Sequence, residues 1–169
     1  TVSREELQQL AKKYLNPVLS PRGDRVAIVA QDGDATDVWI DDLTRSVLTT
    51  TTLDGLSIGF NVWNPDGRHL VTTKRSGNTL HLYSLSTDGS GRAERLFANL
   101  EGAWPAAWTR NGRSLVVMQS GDIKIIDVAD SVPRTLVATP PDEFGGRLSP
   151  DYRWLAHHSK ITGQYALYV

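Results

Sequence analysis

Short apolar runs separated by turn-forming residues recur along the whole chain, and this pattern is typical of β-strands. The clearest example is Val62-Trp63-Asn64-Pro65-Asp66-Gly67-Arg68-His69-Leu70-Val71, in which two apolar runs flank a tight turn. Proline presets φ at the second position of a turn, and Asp and Gly tolerate the conformations that follow. The stretch therefore predicts two antiparallel strands joined at residues 64–67.

The same hairpin pattern occurs three more times, at Leu19–Val26, Trp108–Leu115 and Leu148–Leu155. The turn glycines of the first three copies are Gly23, Gly67 and Gly112, and Tyr152 takes this place in the fourth. The copies are thus 44, 45 and 40 residues apart. A period of about 40 to 45 residues with four strands in each unit is typical of a propeller blade.

Strands can be assigned in every unit, although the last unit is one strand short. In the second unit they are Ile58–Trp63, His69–Thr73, Thr79–Leu85 and Arg92–Phe97. The third strands of the four units align, at about residues 39–43, 81–85, 124–128 and 166–169. Outer strands follow only three of them, at about residues 46–50, 92–97 and 134–138.

These strands predict an all-β fold: a four-bladed β-propeller unit, or half of a larger ring, made of four-stranded antiparallel blades. The repeats span about residues 15–54, 55–100, 101–140 and 141–169, the last incomplete. Propeller rings avoid free strand edges, because an unpaired edge invites association. The N-terminal segment or another chain is therefore expected to complete the last blade. A homodimer through this blade and a fragment of a larger ring both remain open.

The N-terminal segment, residues 1–14, has a different pattern. Ser3-Arg4-Glu5-Glu6 matches a capping box, and Leu7, Leu10, Ala11 and Tyr14 follow at helical spacing. This predicts a short amphipathic helix over residues 4–13, which Pro17 stops. The alternative is that residues 7–11 form an outer strand that closes a blade, because tertiary context overrides short helical signals.

Composition excludes several classes of partner. The chain has 18 basic and 19 acidic side chains without a long run of either sign, so no nucleic-acid partner is expected. No apolar stretch approaches the roughly 20 residues of a membrane helix, so neither a membrane segment nor a signal peptide is expected in these residues. Cysteine is absent, which removes disulfides and leaves the compartment open, an extracytoplasmic one being slightly favoured.

One motif suggests catalysis. Gly55-Leu56-Ser57-Ile58-Gly59 matches a nucleophile elbow, and Asp127 or Asp142 followed by His157 completes the chain order of a hydrolase triad. An elbow needs a strand before the serine and a helix after it. Ser57 instead leads into a predicted innermost strand, so we expect no catalytic site in this chain.

Two groups of residues are candidate metal ligands. His157 and His158 are adjacent on a predicted second strand, so one should pack inside and the other line a groove. Adjacent strand residues cannot easily share a metal, and no third ligand follows at fixed spacing. Asp32, Asp34 and Asp37 are predicted to lie in a loop, and Asp is a common turn residue, so this cluster does not by itself indicate a metal. No metal and no cofactor are expected.

The tryptophans separate packing positions from a candidate binding rim. Trp63, Trp108 and Trp154 are predicted to pack between blades, whereas Trp104 begins an inner strand where loops gather around the central mouth. A propeller presents such loops on a rigid ring. The candidate binding residues on this rim are Trp104, Lys74, Arg75, Asn78, Phe144, Arg147 and Lys160. The turn at residues 64–67 would lie on the opposite face.

The repeat resembles the TolB-like, WD-like propeller repeat, whose phrase is Trp-Ser-Pro-Asp-Gly followed by a basic residue and an apolar strand. Trp63-Asn64-Pro65-Asp66-Gly67-Arg68 is the closest copy. Leu148-Ser149-Pro150-Asp151-Tyr152-Arg153 departs at the glycine, and Trp108-Thr109-Arg110-Asn111-Gly112 departs further. The resemblance covers nearly all of residues 15–169.

Two narrower resemblances concern the ends of the chain. The stretch from Phe144-Gly145-Gly146-Arg147-Leu148-Ser149-Pro150 to Tyr165-Ala166-Leu167-Tyr168-Val169 resembles propellers that follow the kinase domain of some bacterial serine/threonine kinases. Those repeats are regarded as sensor or interaction domains. Ser3-Arg4-Glu5-Glu6-Leu7, leading to Pro17 and Ser20-Pro21, is similar to the start of the propeller in prolyl-oligopeptidase-like enzymes. Their catalytic domain would lie beyond Val169.

These resemblances imply a non-catalytic scaffold that binds a protein or peptide at its loop face, as a sensor or interaction module of a longer bacterial protein. One alternative is the gating propeller domain of a prolyl-oligopeptidase-like serine peptidase. A second alternative, a sugar-binding lectin-like propeller, rests on the tryptophans alone, because flat rings stack on sugars.

Overall fold

The computed structural model describes residues 13–32, 35–51, 59–140 and 142–169, and these residues form four antiparallel sheets. Each sheet is a meander in which consecutive strands are neighbours, as expected for propeller blades. The predicted all-β, four-bladed fold is confirmed. Of the predicted N-terminal helix, residues 4–12 lie outside the described residues, and Lys13 begins the first strand.

The strands are numbered in chain order. Blade 1 contains β1 (Lys13–Leu19), β2 (Arg25–Asp32), β3 (Ala35–Asp42) and β4 (Val47–Thr51). Blade 2 contains β5 (Val62–Trp63), β6 (His69–Ser76), β7 (Thr79–Ser86) and β8 (Ala93–Leu96). Blade 3 contains β9 (Ala103–Trp108), β10 (Ser114–Gln119), β11 (Asp122–Asp127) and β12 (Pro133–Val137). Blade 4 contains β13 (Phe144–Leu148), β14 (Leu155–Ser159) and β15 (Ala166–Tyr168).

The hairpin predicted at residues 62–71 is present. Val62 pairs with Val71 and Trp63 with Leu70, so the turn lies between β5 and β6. The Gly67 N–H donates to the Asn64 carbonyl at 2.9 Å, and Gly67 has a φ of +66°. Glycine adopts this left-handed conformation without the steric cost that a side chain adds.

Apolar side chains fill the space between successive blades. Ala27, Val38 and Ile40 of blade 1 form one buried cluster with Trp63, Leu70 and Leu85 of blade 2. A larger cluster joins blades 2 and 3, with Val71, Leu82, Phe97, Trp108, Leu115, Val117 and Ile126 among its members. Ala106, Val116 and Ile123 of blade 3 are covered by Leu148 and Leu155 of blade 4. Burial of this apolar surface is the main force that holds the blades side by side.

Blade 4 has three strands among the described residues, as the missing outer strand in the sequence predicts. Its inner face packs on blade 3 through Leu148 and Leu155. Its other face carries Leu167 and Val169, which are 64% and 75% exposed. Blade 4 is therefore packed on one side only within the described chain.

The prediction that Trp154 packs between blades is wrong. Its side chain is 58% exposed, whereas Trp63 and Trp108 are buried as predicted. Trp154 lies immediately before β14, at the position that His69 occupies before Leu70 in blade 2. Because Leu155 points into the interface with blade 3, the alternation along a strand places Trp154 on the opposite side.

The sheets end at two faces of the molecule. We call the end that carries the turns at residues 20–24, 64–68, 109–113 and 149–153 the hairpin face. The loop face carries the turns β6–β7, β10–β11 and β14–β15 and the described parts of the connections from blade 2 to blade 3 and from blade 3 to blade 4. Within the described ranges, no helix is long and apolar enough to cross a membrane.

Candidate ligand site on the loop face

A cavity of about 480 Å³ opens on the loop face where blades 2, 3 and 4 meet. We call it the rim cavity. Its aromatic and imidazole lining consists of Phe60, Trp104, Phe144, His158 and Tyr165. Three of these rings are well exposed, because Phe60 is 41%, Phe144 40% and Tyr165 64% accessible. Exposed aromatic rings gathered in one concave site are typical of ligand pockets.

The rings hold one another in two groups. Phe60 lies edge-on to Trp104, with their ring centroids 5.5 Å apart. Phe144 stacks on the His158 imidazole at 5.1 Å and meets Tyr165 edge-on at 5.1 Å. Such edge-on and offset contacts are the preferred arrangements of aromatic pairs. The cavity walls are thus fixed before any ligand is present.

The backbone of β13 makes this stacking possible. Its pairing with β14 shifts register between Phe144 and Arg147, so the intervening glycines form an irregularity in the strand. The Gly145 N–H points to the Met118 sulfur at 2.9 Å. A Cβ at Gly145 would lie 2.9 Å from His158 Nδ1, so a side chain there would displace the imidazole that stacks on Phe144.

Two acidic residues, Asp142 and Glu143, line the cavity. The Glu143 side chain is only 2% exposed, and its Oε1 accepts hydrogen bonds from the Thr139 N–H at 2.9 Å and from the Thr139 hydroxyl. Its Oε2 is buried without a hydrogen-bond partner among the described residues. Asp142 lies beside it and is exposed. A buried carboxylate oxygen without a hydrogen-bond donor costs free energy.

Arg147 provides the one guanidinium in the described lining of the cavity. Its Nη1 donates to the carbonyls of Ala106 and Gly146, both at 3.1 Å. Arg147 also lines a second cavity of about 360 Å³, to which the inner strands of all four blades contribute. This side chain therefore stands between the rim cavity and the centre of the propeller.

The rim residues expected from the sequence divide into two sets. Trp104, Phe144 and Arg147 line the rim cavity together. Lys160 lies next to it, with its Nζ 5.4 Å from the centroid of the Tyr165 ring. The other three, Lys74, Arg75 and Asn78, lie at the β6–β7 hairpin and are not part of the described lining.

Strand β6 is longer than the sequence pattern indicates. It continues through Ser76, so Lys74 and Arg75 pair with His81 and Leu80 instead of forming a loop. The connection to β7 is the short turn Gly77-Asn78. Lys74 Nζ lies 5.8 Å from the ring centroid of Tyr83, on the same hairpin.

The two adjacent histidines face opposite sides of β14, as the alternation predicts. His157 is buried and stacks on Tyr168 with their centroids 5.8 Å apart, whereas His158 is exposed and lines the rim cavity. Among the residues that the structure describes, no three His, Asp or Glu side chains lie close enough to hold a metal ion. Asp34 and the serine of the elbow motif, Ser57, lie outside the described residues.

Sequence reasoning did not place Phe60 or Tyr165 on the rim, and it did not show that Glu143 is buried. Phe60 lies at the entry to blade 2, whereas Glu143 and Tyr165 belong to blade 4. A signal was present in the turn Gly163-Gln164-Tyr165, where an aromatic residue follows a turn glycine in a loop that the repeat places on the rim.

The described fold is similar to solved propeller structures. With TolB from Acinetobacter baumannii the TM-score is 0.82 at 18% identity, over 92% of this chain and 40% of that chain. With a protein assigned as TolB from Agrobacterium tumefaciens it is 0.77 at 20% identity, over 92% of this chain and 57% of that one. With Porphyromonas gingivalis dipeptidyl peptidase 4 the TM-score is 0.60 at 15% identity, over 92% of this chain and 31% of that chain.

The comparisons establish a TolB-like β-propeller fold. No family model and no curated protein matches the sequence. The chain spans about two fifths and somewhat over half of the two TolB chains, so those proteins contain further structure without a counterpart here. The neighbours include an enzyme as well as TolB proteins, and at these identities the likeness concerns the fold alone.

Proposed function

We propose that this chain is a non-catalytic propeller domain that binds a protein or peptide segment at its loop face. The observation that carries the proposal is the rim cavity, in which Phe60, Phe144 and Tyr165 expose apolar rings on a rigid frame. Its volume of about 480 Å³ lies within the usual range of ligand pockets. Aromatic side chains lose little conformational entropy on binding, and they are common anchors of protein interfaces.

The hairpin face offers a weaker candidate surface. Its turn carboxylates and amides are largely used inside the turns, as with Asn64 Oδ1, which accepts from the Asp66 N–H at 3.0 Å. The central cavity near that face is smaller, at about 360 Å³, and is lined by the repeating hairpin residues. The proposal therefore places the ligand on the loop face.

A peptide-display selection on the whole chain tests this function. Selected peptides are titrated against the parent chain, Trp104→Ala and Trp154→Ala. Trp104 lines the rim cavity, and Trp154 is an exposed tryptophan near the hairpin face, which makes it a matched control. We expect Trp104→Ala to weaken binding at least about tenfold and Trp154→Ala to leave it unchanged. Equal affinity for all three proteins would contradict the proposal.

A second candidate function is the gating propeller of a serine peptidase. The likeness to the dipeptidyl peptidase 4 structure favours it, because that peptidase contains the same fold. The two functions differ in what accompanies the propeller. Reading the coding sequence downstream of Val169 for a hydrolase domain with a serine, aspartate and histidine in that order distinguishes them.

A further inference from the structure

The rim cavity combines aromatic faces with carboxylates, which is the chemistry that recognises an organic cation. We infer that the cavity binds a positively charged group of the peptide, an ammonium or a guanidinium. This inference rests on the proposed peptide-binding function. This group would lie against the rings of Trp104 and Phe144 and pair with the carboxylates of Asp142 and Glu143.

The aromatic walls of the rim cavity can attract a cation. The negative face of an aromatic ring attracts a cation that lies within about 6 Å of its centroid. In the edge-on contact between Phe60 and Trp104 the edge of one ring meets one face of the other, so this contact leaves at least one face of each ring uncovered. Tyr165 already shows this interaction within the chain, because Lys160 Nζ lies 5.4 Å from its centroid.

The Glu143 carboxylate can accept a further hydrogen bond. The Glu143 residue is only 2% exposed, yet its Oε2 has no hydrogen-bond donor among the described residues. Thr139 fixes the other oxygen, so the carboxylate is held in place. An ammonium or guanidinium group supplies both the missing hydrogen bond and a compensating charge.

The charge balance of the lining points the same way. Two carboxylates, Asp142 and Glu143, face one guanidinium, that of Arg147. The Arg147 Nη1 is engaged by the carbonyls of Ala106 and Gly146 on the side of the propeller centre. The two carboxylates thus outnumber the one guanidinium in the described lining, while the Lys160 ammonium beside the cavity lies against the Tyr165 ring.

Nuclear magnetic resonance titration of the whole chain tests the inference. The probes are acetylated, amidated glycine pentapeptides with a central lysine, arginine, norleucine or glutamate, and a norleucine pentapeptide with a free amino terminus. The indole N–H signal of Trp104 reports on the cavity, and that of Trp154 serves as an internal control. Lysine or arginine peptides should shift the Trp104 signal and bind about tenfold tighter than the acetylated norleucine peptide.

Two variants link the selectivity to the acids. Glu143→Gln keeps the shape of the side chain and Asp142→Asn changes an exposed residue, so the amide spectrum of at least one variant should remain native. We expect each to reduce the preference for lysine over norleucine by about fivefold, and Trp154→Ala to retain it. Stronger binding by the peptide with a free amino terminus would identify the terminus as the source of the cation.

Other outcomes overturn the inference in distinct ways. Equal binding of the lysine and norleucine peptides would mean an apolar site, and the proposed function would stand without the cation. Preference for the glutamate peptide would mean that Arg147 dominates recognition. Absence of any shift at Trp104 would overturn the cation site, whereas the display selection decides separately whether peptides bind the loop face.

Discussion

The hairpin face and the loop face are the two ends of the same strands, yet their polar groups are used differently. At the hairpin face the Asp66 carboxylate accepts hydrogen bonds from the N–H groups of Arg68 and His69, and Ser149 does the same for Trp154. At the loop face Phe144 and Tyr165 are exposed, and Glu143 Oε2 lacks a partner in the described chain.

The difference separates residues that build the fold from residues that are free to bind. Asn, Asp and Ser side chains in the recurring turns satisfy their own backbone, which is why these types recur at that position. Such groups have little left to offer a ligand. The rim cavity lies at the other end of the strands, and its rings Phe144 and Tyr165 remain exposed.

Replacing Trp63 with alanine should have the largest effect on stability. The side chain is 5% exposed, packs against Leu70 and Leu85, and donates from Nε1 to the Val18 carbonyl at 2.9 Å. Removing a buried tryptophan costs about 3–5 kcal/mol in free energy of unfolding, through lost packing and the cavity left behind. Urea unfolding followed by circular dichroism measures the loss.

Two variants control this measurement. Trp154→Ala removes an exposed tryptophan and should change the free energy of unfolding by no more than about 0.5 kcal/mol. Trp63→Phe keeps most of the packing and loses the hydrogen bond, so about 1–2 kcal/mol is expected. A Trp63→Ala protein as stable as Trp154→Ala would remove the distinction between packing and surface tryptophans.

The fold was largely predictable because its signals are local and repeated. The predicted third strand at 124–128 corresponds to Asp122–Asp127, and the predicted outer strand at 134–138 to Pro133–Val137. Trp154 shows where the pattern fails. Its residue type suggests a core, but its place next to Leu155 in the alternation decides its exposure.

The candidate site was only partly predictable because it forms between blades. Trp104, Phe144 and Arg147 were expected on the rim, and the structure brings them into one cavity. Phe60, at the entry to blade 2, joins them through packing of blade against blade, which has no fixed spacing in the sequence. The unpaired oxygen of Glu143 depends on where Thr139 points, and that is known only from three-dimensional geometry.

Glycine replacement at the hairpin turn should give an intermediate effect. Gly67 has a φ of +66°, and a Cβ there would meet only Arg25 Nη2 at the ordinary distance of 3.9 Å. The cost of Gly67→Ala is therefore that of the left-handed backbone, about 1 kcal/mol. Thermal and urea unfolding of the variant should show this loss.

The fourth turn provides the opposite test. Tyr152 adopts a φ of +61° at the position equivalent to Gly67. Tyr152→Gly should remove the backbone cost and stabilise the chain by at most about 1 kcal/mol, because glycine also gains entropy in the unfolded state. If both substitutions destabilised the protein equally, the turn conformation would not explain the choice of glycine.

Acid titration should show the smallest effect and concerns the turn carboxylates. Five aspartates with lowered pKa lie on the hairpin face: Asp24, Asp42, Asp66, Asp88 and Asp151. Hydrogen bonds from the Ser90 side chain and then its backbone N–H lower the pKa of Asp88 to about 2. For Asp66, burial acts to raise the pKa, but bonds from Arg68 and His69 outweigh it.

The direction of the pH effect follows from these shifts. Because the folded-state pKa lies below the unfolded value near 3.8, each carboxylate contributes stability above that pH. The contribution is lost as the pH falls from about 4 towards about 2, so the urea midpoint should decline over this range.

Nuclear magnetic resonance titration of the carboxyl carbons checks each group. Ser90→Ala should raise the pKa of Asp88, and Ser149→Ala that of Asp151, each without moving the other. If Ser90→Ala left the pKa of Asp88 at about 2, the turn hydrogen bonds would not be what distinguishes the hairpin face from the loop face.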